Sequence, residues 1–289
     1  MSFKKTANAT ISEPIVSLAS WDQIHGHRAF GQKIASVKKI SDNNTAYLLS
    51  HCTIMSSVQT EESEDWLIKP ECSHLVNNND DAWTNEVLKL SHKSFVGAFN
   101  FVEHFQNSKY AKGHILDAVL RKVQIAPPSC WVYFCDILVA TDLAHEKLVE
   151  DIRAGHVKYL SMGCVTDLVI CSFCGARVTD ATTYCHHLQF QEGMFLQDED
   201  GIPRRIAELC GHKDMANGGV KFVEASWVST PAFPGAAKRN IVSEEWVGPA
   251  TKYTHASKTS SFHKAASEKT TDLSLSEALL NADLRRKLR

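Results

Sequence analysis

Between Lys33 and Pro231 the hydrophobic positions fall mostly into short runs of strand-like alternation, separated by turn residues. Ile34–Ile40 and Thr45–Met55 read as a hairpin closed by Ser41-Asp-Asn-Asn. The acidic stretch 57–65 reads as an exposed loop. Ser94–Gln106, apolar and aromatic, fits a buried strand that delivers His104 to its end, and Gly113–Val123 and Cys130–Ala140 fit two more strands, joined through Pro127-Pro128. Leu160–Cys164 and Gly219–Pro231 complete the set, with Phe222, Glu224, Ser226 and Val228 expected on one face of the last. Helical spacing appears in Asp81–Ser91, with Asp81 as its cap, and in Asp142–Ala154, with an acidic cap and Gly155 as its stop. The pattern predicts an α+β, mostly β, fold.

Outside this region the composition changes. Residues 1–25 are polar and mixed, as a flexible arm would be, and the predicted globular domain spans 26–245. Residues 246–289 read as a linker rich in Ser, Thr, Lys and Ala, followed by a helix that opens on the capping box Ser274-Leu-Ser-Glu277 and ends in basic residues. The formal charge of −2 in 289 residues carries no electrostatic footprint for nucleic acid. No run approaches the roughly 20 apolar residues of a membrane helix, so no membrane partner is expected. Nine cysteines, an odd number, with no apolar leader at the start of the sequence, suggest a reducing compartment rather than a disulfide framework.

Four of the cysteine and histidine positions have ligand spacing. Cys171-x2-Cys174 is a knuckle whose two thiolates can grip one ion at about 2.3 Å, and Cys185 and His187 can complete a tetrahedron. His186, Cys210 and His212 are alternative fourth ligands. Zn2+ suits this donor set, and four protein ligands leave no open position for water, which makes the role structural. The resulting insertion covers 165–215. A helical His-Glu-x-x-His is absent, since His145-Glu146 is followed by Val149, and this weakens a metalloprotease reading.

Ser161, followed by Gly163 in an apolar run, is a candidate nucleophile. Serine in a strand is commonly just a tolerated small residue, so its meaning depends on partners. A hydroxyl nucleophile needs an imidazole to take its proton and a third group to orient that imidazole. His104 and Glu224 are of the right types.

Three blocks resemble the capsid maturation (prohead) proteases of tailed bacteriophages. They are Asn100-Phe-Val-Glu-His104 with Lys112-Gly113-His-Ile, Leu160-Ser161-Met-Gly163-Cys, and Val223-Glu224-Ala-Ser-Trp-Val-Ser-Thr-Pro231-Ala. The resemblance spans roughly residues 30–240 and implies the assemblin-like barrel of herpesvirus maturation proteases, here with flanking helices and a zinc-knuckle insertion. It implies that Ser161 is the nucleophile and His104 the base. Herpesvirus relatives use a second histidine after the serine, which here falls on His186 or His187, whereas phage members place an acid in the block that holds Glu224. The implied activity is a serine endopeptidase that cleaves scaffold and major capsid proteins, and its own termini, through an acyl-enzyme. It would act as a homo-oligomer inside the procapsid in the host cytoplasm. The alternative is a non-catalytic, zinc-stabilised head or scaffold protein that keeps the same fold.

Overall fold

The computed structural model describes residues 44–126 and 130–249. The arm 1–25, the strand Ile34–Ile40, Pro127-Pro128 and the C-terminal helix opening at Ser274 lie outside the described residues. Seven strands close into a barrel: β1 (Asn44–Ser56), β3 (Phe99–Val102), β4 (Gly113–Ala126), β5 (Cys130–Asp142), β6 (Tyr159–Thr166), β12 (Val220–Val228) and β13 (Ala237–Pro249). Their order around the wall is β1-β13-β6-β12-β3-β4-β5. Neighbours are antiparallel except β12 and β3, which run parallel. The boundary expected at 246 falls inside β13, because Trp246 and Val247 pair with Tyr47 and Ala46 of β1.

The barrel interior is apolar: Leu48, Ile54, Ile115, Ile137, Val139, Leu160, Phe222, Ala225 and Trp227 belong to one buried cluster. Phe95 and Phe222 stack with ring centroids 4.3 Å apart. Phe222 does not share a face with Glu224 and Ser226, contrary to strict alternation. Phe222 pairs with Cys164 while Glu224 pairs with the adjacent Gly163, so a bulge at Val223 puts an extra residue in β12. That residue shifts the alternation by one. Phe222 stays in the core with Ala225 and Trp227, and Glu224 and Ser226 emerge on the opposite face.

Two helix starts also differ from expectation. The first helix, α1 (Asn85–Ser91), is capped by Thr84, whose side chain accepts from the Val87 amide. Asp81 is instead drawn into a short strand, β2 (Asp81–Ala82), which runs parallel to β11 (Glu208–Cys210). The second, α2 (Glu146–Ala154), starts after His145, while Asp142 ends β5 and accepts from the Ala144 amide. Gly155 ends α2 at φ 79°.

Between β6 and β12 lies an insertion. Its strands are β7 (Val169–Cys171), β8 (Arg177–Val178), β9 (Phe195–Gln197), β10 (Pro203–Arg205) and β11, with a short helix α3 (His186–Phe190). The sheet order β2-β11-β7-β8 ties this insertion to the segment before α1, and β9 and β10 form a separate hairpin. No disulfide joins any of the nine cysteines. Among the described residues no helix is long and apolar enough to cross a membrane.

Because Phe222 is fully buried and stacked, Phe222→Ala should lower unfolding free energy by about 3–5 kcal/mol, measured by urea denaturation.

Candidate active site and candidate metal centre

The site is built on the barrel wall from three adjacent strands. Strand β12 is hydrogen-bonded to β6 on one side and to β3 on the other. Leu160, Cys164, Ala225 and Trp227 face the core, which leaves Ser161, Gly163, Glu224 and Ser226 on the other face. The register sets Ser161 opposite Ser226 and Gly163 opposite Glu224.

His104 does not lie within the strand that was expected to carry it. β3 ends at Val102, and the chain turns through Glu103 (φ 48°) and His104 (φ 57°), both left-handed. Such a conformation in a residue with a Cβ costs roughly 1–3 kcal/mol. Two bonds from the turn to the β12 chain offset it: the Glu103 amide donates to Trp227 O at 2.9 Å, and Glu103 Oε1 accepts from the Ser229 amide at 2.7 Å. The turn aims the His104 imidazole back over β12. Its Nδ1 meets Glu224 Oε1 at 2.7 Å.

Glu224 is 1% exposed, and both carboxylate oxygens are bonded. Gln106 Nε2 donates to Oε1 at 3.4 Å, and Ser226 Oγ donates to Oε2 at 2.5 Å. Gly163 provides the space: a Cβ there would lie 2.7 Å from Glu224 Oε1 and 3.0 Å from Gln106 Nε2. The glycine after the candidate serine therefore makes room for the carboxylate across the strand pair.

The His104 pKa is raised above its ordinary 6.5 by opposing effects. Desolvation is the largest and lowers it, but the hydrogen bond and charge of Glu224, with the charge of Glu103, outweigh it. The imidazolium–Glu224 pair therefore contributes stability that is fully present below pH 6.5 and is lost as pH rises through the raised value. With Nδ1 bonded to Glu224, Nε2 is the nitrogen that can accept a proton from a hydroxyl. Ser161 is 5% exposed and makes no hydrogen bond to His104; contacts of this kind commonly tighten only when substrate is bound.

Glu103, Gln106 and Ser226 were not singled out from the sequence. Ser226 was visible as the residue two positions after Glu224 on the same strand face, whereas Gln106 and Glu103 depend on the turn at His104. His186 and His187, the other candidates for the third member, lie in α3. The His186 ring is exposed and rests 5.1 Å from the Phe190 ring. A cavity of about 320 Å³ lies elsewhere, between the insertion and α1, and is lined by Glu61, Asp65, Glu86, His212 and Lys213 among others.

Cys171, Cys174, Cys185 and His187 converge, with one ligand atom from each within 4.8 Å of every other, a set that could hold a metal ion. Cys171 ends β7, and Gly175, at φ 69°, closes a tight turn by donating to Cys171 O at 3.0 Å. Cys185 is the residue before α3, so the four donors clip a hairpin to a helix start. The residues fit an ion on two counts. His187 Nδ1 is buried with no hydrogen-bond partner. Burial pushes the Cys171 thiol up to about 12 although the Cys174 and Phe173 amides bond to it and act to lower it, so the amides favour a thiolate there that a cation would stabilise. The other candidate ligands are placed elsewhere. Cys210 is buried in β11 near Asp81, and His212 bonds to Asp65 at 3.3 Å and Arg177 at 3.2 Å.

The hydrophobic cluster around the donors is small, comprising Val169, Cys171, Leu188 and Ile206 with a few partly buried neighbours. Purified protein should carry about one equivalent of metal per chain. Chelation should speed hydrogen exchange across 169–206 while the barrel strands stay protected, as measured by mass spectrometry.

Comparison of the chain with protein-family models, with curated proteins and with solved structures finds no match.

Proposed function

We propose that this chain is a serine endopeptidase of phage head maturation, with Ser161 as nucleophile, His104 as general base and Glu224 as the group that orients the base. The observation that carries this reading is the 2.7 Å bond between His104 Nδ1 and a buried Glu224, on the barrel face that also bears Ser161. A buried carboxylate bonded to one imidazole nitrogen fixes the tautomer and stabilises the imidazolium that forms when the other nitrogen takes a proton. In the proposed reaction His104 Nε2 removes the Ser161 hydroxyl proton as Oγ attacks a peptide carbonyl. The same proton then passes to the leaving amine, and water resolves the acyl-enzyme.

Further support comes from the turn that presents His104. Non-glycine residues held in left-handed conformations concentrate at functional sites, and two occur here in succession. Beside them Phe105 and Tyr110 pack edge to face at 5.0 Å and stay more than half exposed, a surface suited to an apolar substrate side chain. The closed seven-strand barrel agrees with an assemblin-like fold. On this reading the insertion is a structural Zn2+ clip, the substrates are scaffold and major capsid proteins, and the enzyme works as a homo-oligomer inside the procapsid.

Co-expression of Ser161→Ala with capsid proteins should abolish their processing; normal processing, seen as mature-size bands on a gel, would favour the non-catalytic head protein instead. The base must be neutral to act, so activity should rise as pH passes upward through the His104 pKa, giving an acid limb centred above 6.5. Glu224→Gln removes the charge that raises this pKa and leaves the desolvation that lowers it. The acid limb of kcat/KM should therefore move down in pH, with a large loss of kcat; a limb that stays in place would count against the His104–Glu224 pair.

A further inference from the structure

A carboxylate at 1% exposure is tolerated only when its lone pairs are bonded. The two oxygens of Glu224 are served unequally. Oε1 takes His104 and Gln106, whereas the bond to Oε2 comes from Ser226 Oγ. Ser226 is fully buried, sits two residues along β12 on the face that carries Glu224, and has its Cα opposite that of Ser161.

A serine so close to the candidate nucleophile could be a rival for that role, but its surroundings suit another. Its proton goes to a carboxylate and not to an imidazole. A hydroxyl that donates to a carboxylate makes a charge-assisted bond, about twice as strong as a neutral one. Removing the hydroxyl leaves Oε2 buried without that donor. The carboxylate then gains by rotating toward another donor, and that rotation weakens the bond from Oε1 to His104.

We propose that Ser226 is a positioning residue that locks the Glu224 carboxylate so that Oε1 stays on His104 Nδ1 and Nε2 stays the proton acceptor. Its catalytic consequence rests on the peptidase reading above, but its effect on His104 does not. The charged groups that act on His104 are Glu224 from β12 and Glu103 from its own turn; a change at Ser226 removes neither residue and reaches His104 only through the Glu224 carboxylate.

The test is the titration of the His104 imidazole, followed by nitrogen NMR in the full chain, for wild type, Ser226→Ala, Ser226→Cys and Ser226→Thr. The Cys variant keeps the size but donates weakly, and gives the readout should the Ala variant fail to fold. Thr keeps the hydroxyl. The midpoint should fall in the Ala and Cys variants and return in Thr; folded Ala and Cys variants that titrate like wild type would overturn the proposal. In a peptidase assay Ser226→Ala should lose about 10- to 100-fold in kcat with KM unchanged, and Thr should recover most of it. If wild type and Ser161→Ala are equally inactive, the peptidase reading fails while the titration still decides the role of Ser226. If Ser161→Ala abolishes activity but Ser226→Ala keeps full kcat, the positioning role alone fails.

Discussion

Strand β12 carries two incompatible demands, and the bulge at Val223 reconciles them. The strand must fill the barrel with Phe222, Ala225 and Trp227, and it must also present Glu224 and Ser226 on its other face. A regular strand would send Phe222 and Glu224 the same way. The extra residue lets a large ring enter the core and an acid leave it within three positions, while the pairing with Cys164 and Gly163 of β6 continues. Parallel pairing with β3 then brings the His104 turn beside that acid.

The site beyond the bulge shows how a charged group is held at a barrel wall. Glu224 has almost no contact with solvent, so its carboxylate relies on three partners from two chain segments: Ser226 of β12 itself, and His104 and Gln106 from the stretch that follows β3. Gly163 leaves the necessary space. The same arrangement tunes the imidazole. Burial alone would make His104 a weaker base, and the two nearby carboxylates reverse that direction.

The insertion between β6 and β12 uses different physics. The barrel has a large apolar cluster and closed hydrogen bonding, whereas the cysteine loop surrounds only a handful of buried apolar residues. Three thiols and an imidazole with a bare buried nitrogen stand where packing is thin. The two regions meet through sheet β2-β11-β7-β8, so the loop is anchored to the chain before α1 as well as to its own ends.

Local spacing and periodicity determined much of this from the sequence alone. The mostly β character, the strands carrying Ser161 and Glu224, the stop at Gly155 and the Cys171-x2-Cys174 knuckle all follow from residues within one or two turns of chain, where sterics and ligand reach act over short range. Tertiary structure decided the rest. The sides taken by Phe222 and Glu224 depend on a bulge that alternation cannot register. The cap of α1 passed from Asp81 to Thr84 because Asp81 pairs with a strand more than a hundred residues later. The separation of His187 from Cys210 and His212 depends on where α3 and β11 come to rest. The meeting of His104 with Glu224 required two distant segments to become neighbouring strands, and that contact is set by the packing of the whole barrel, not by any stretch of its sequence.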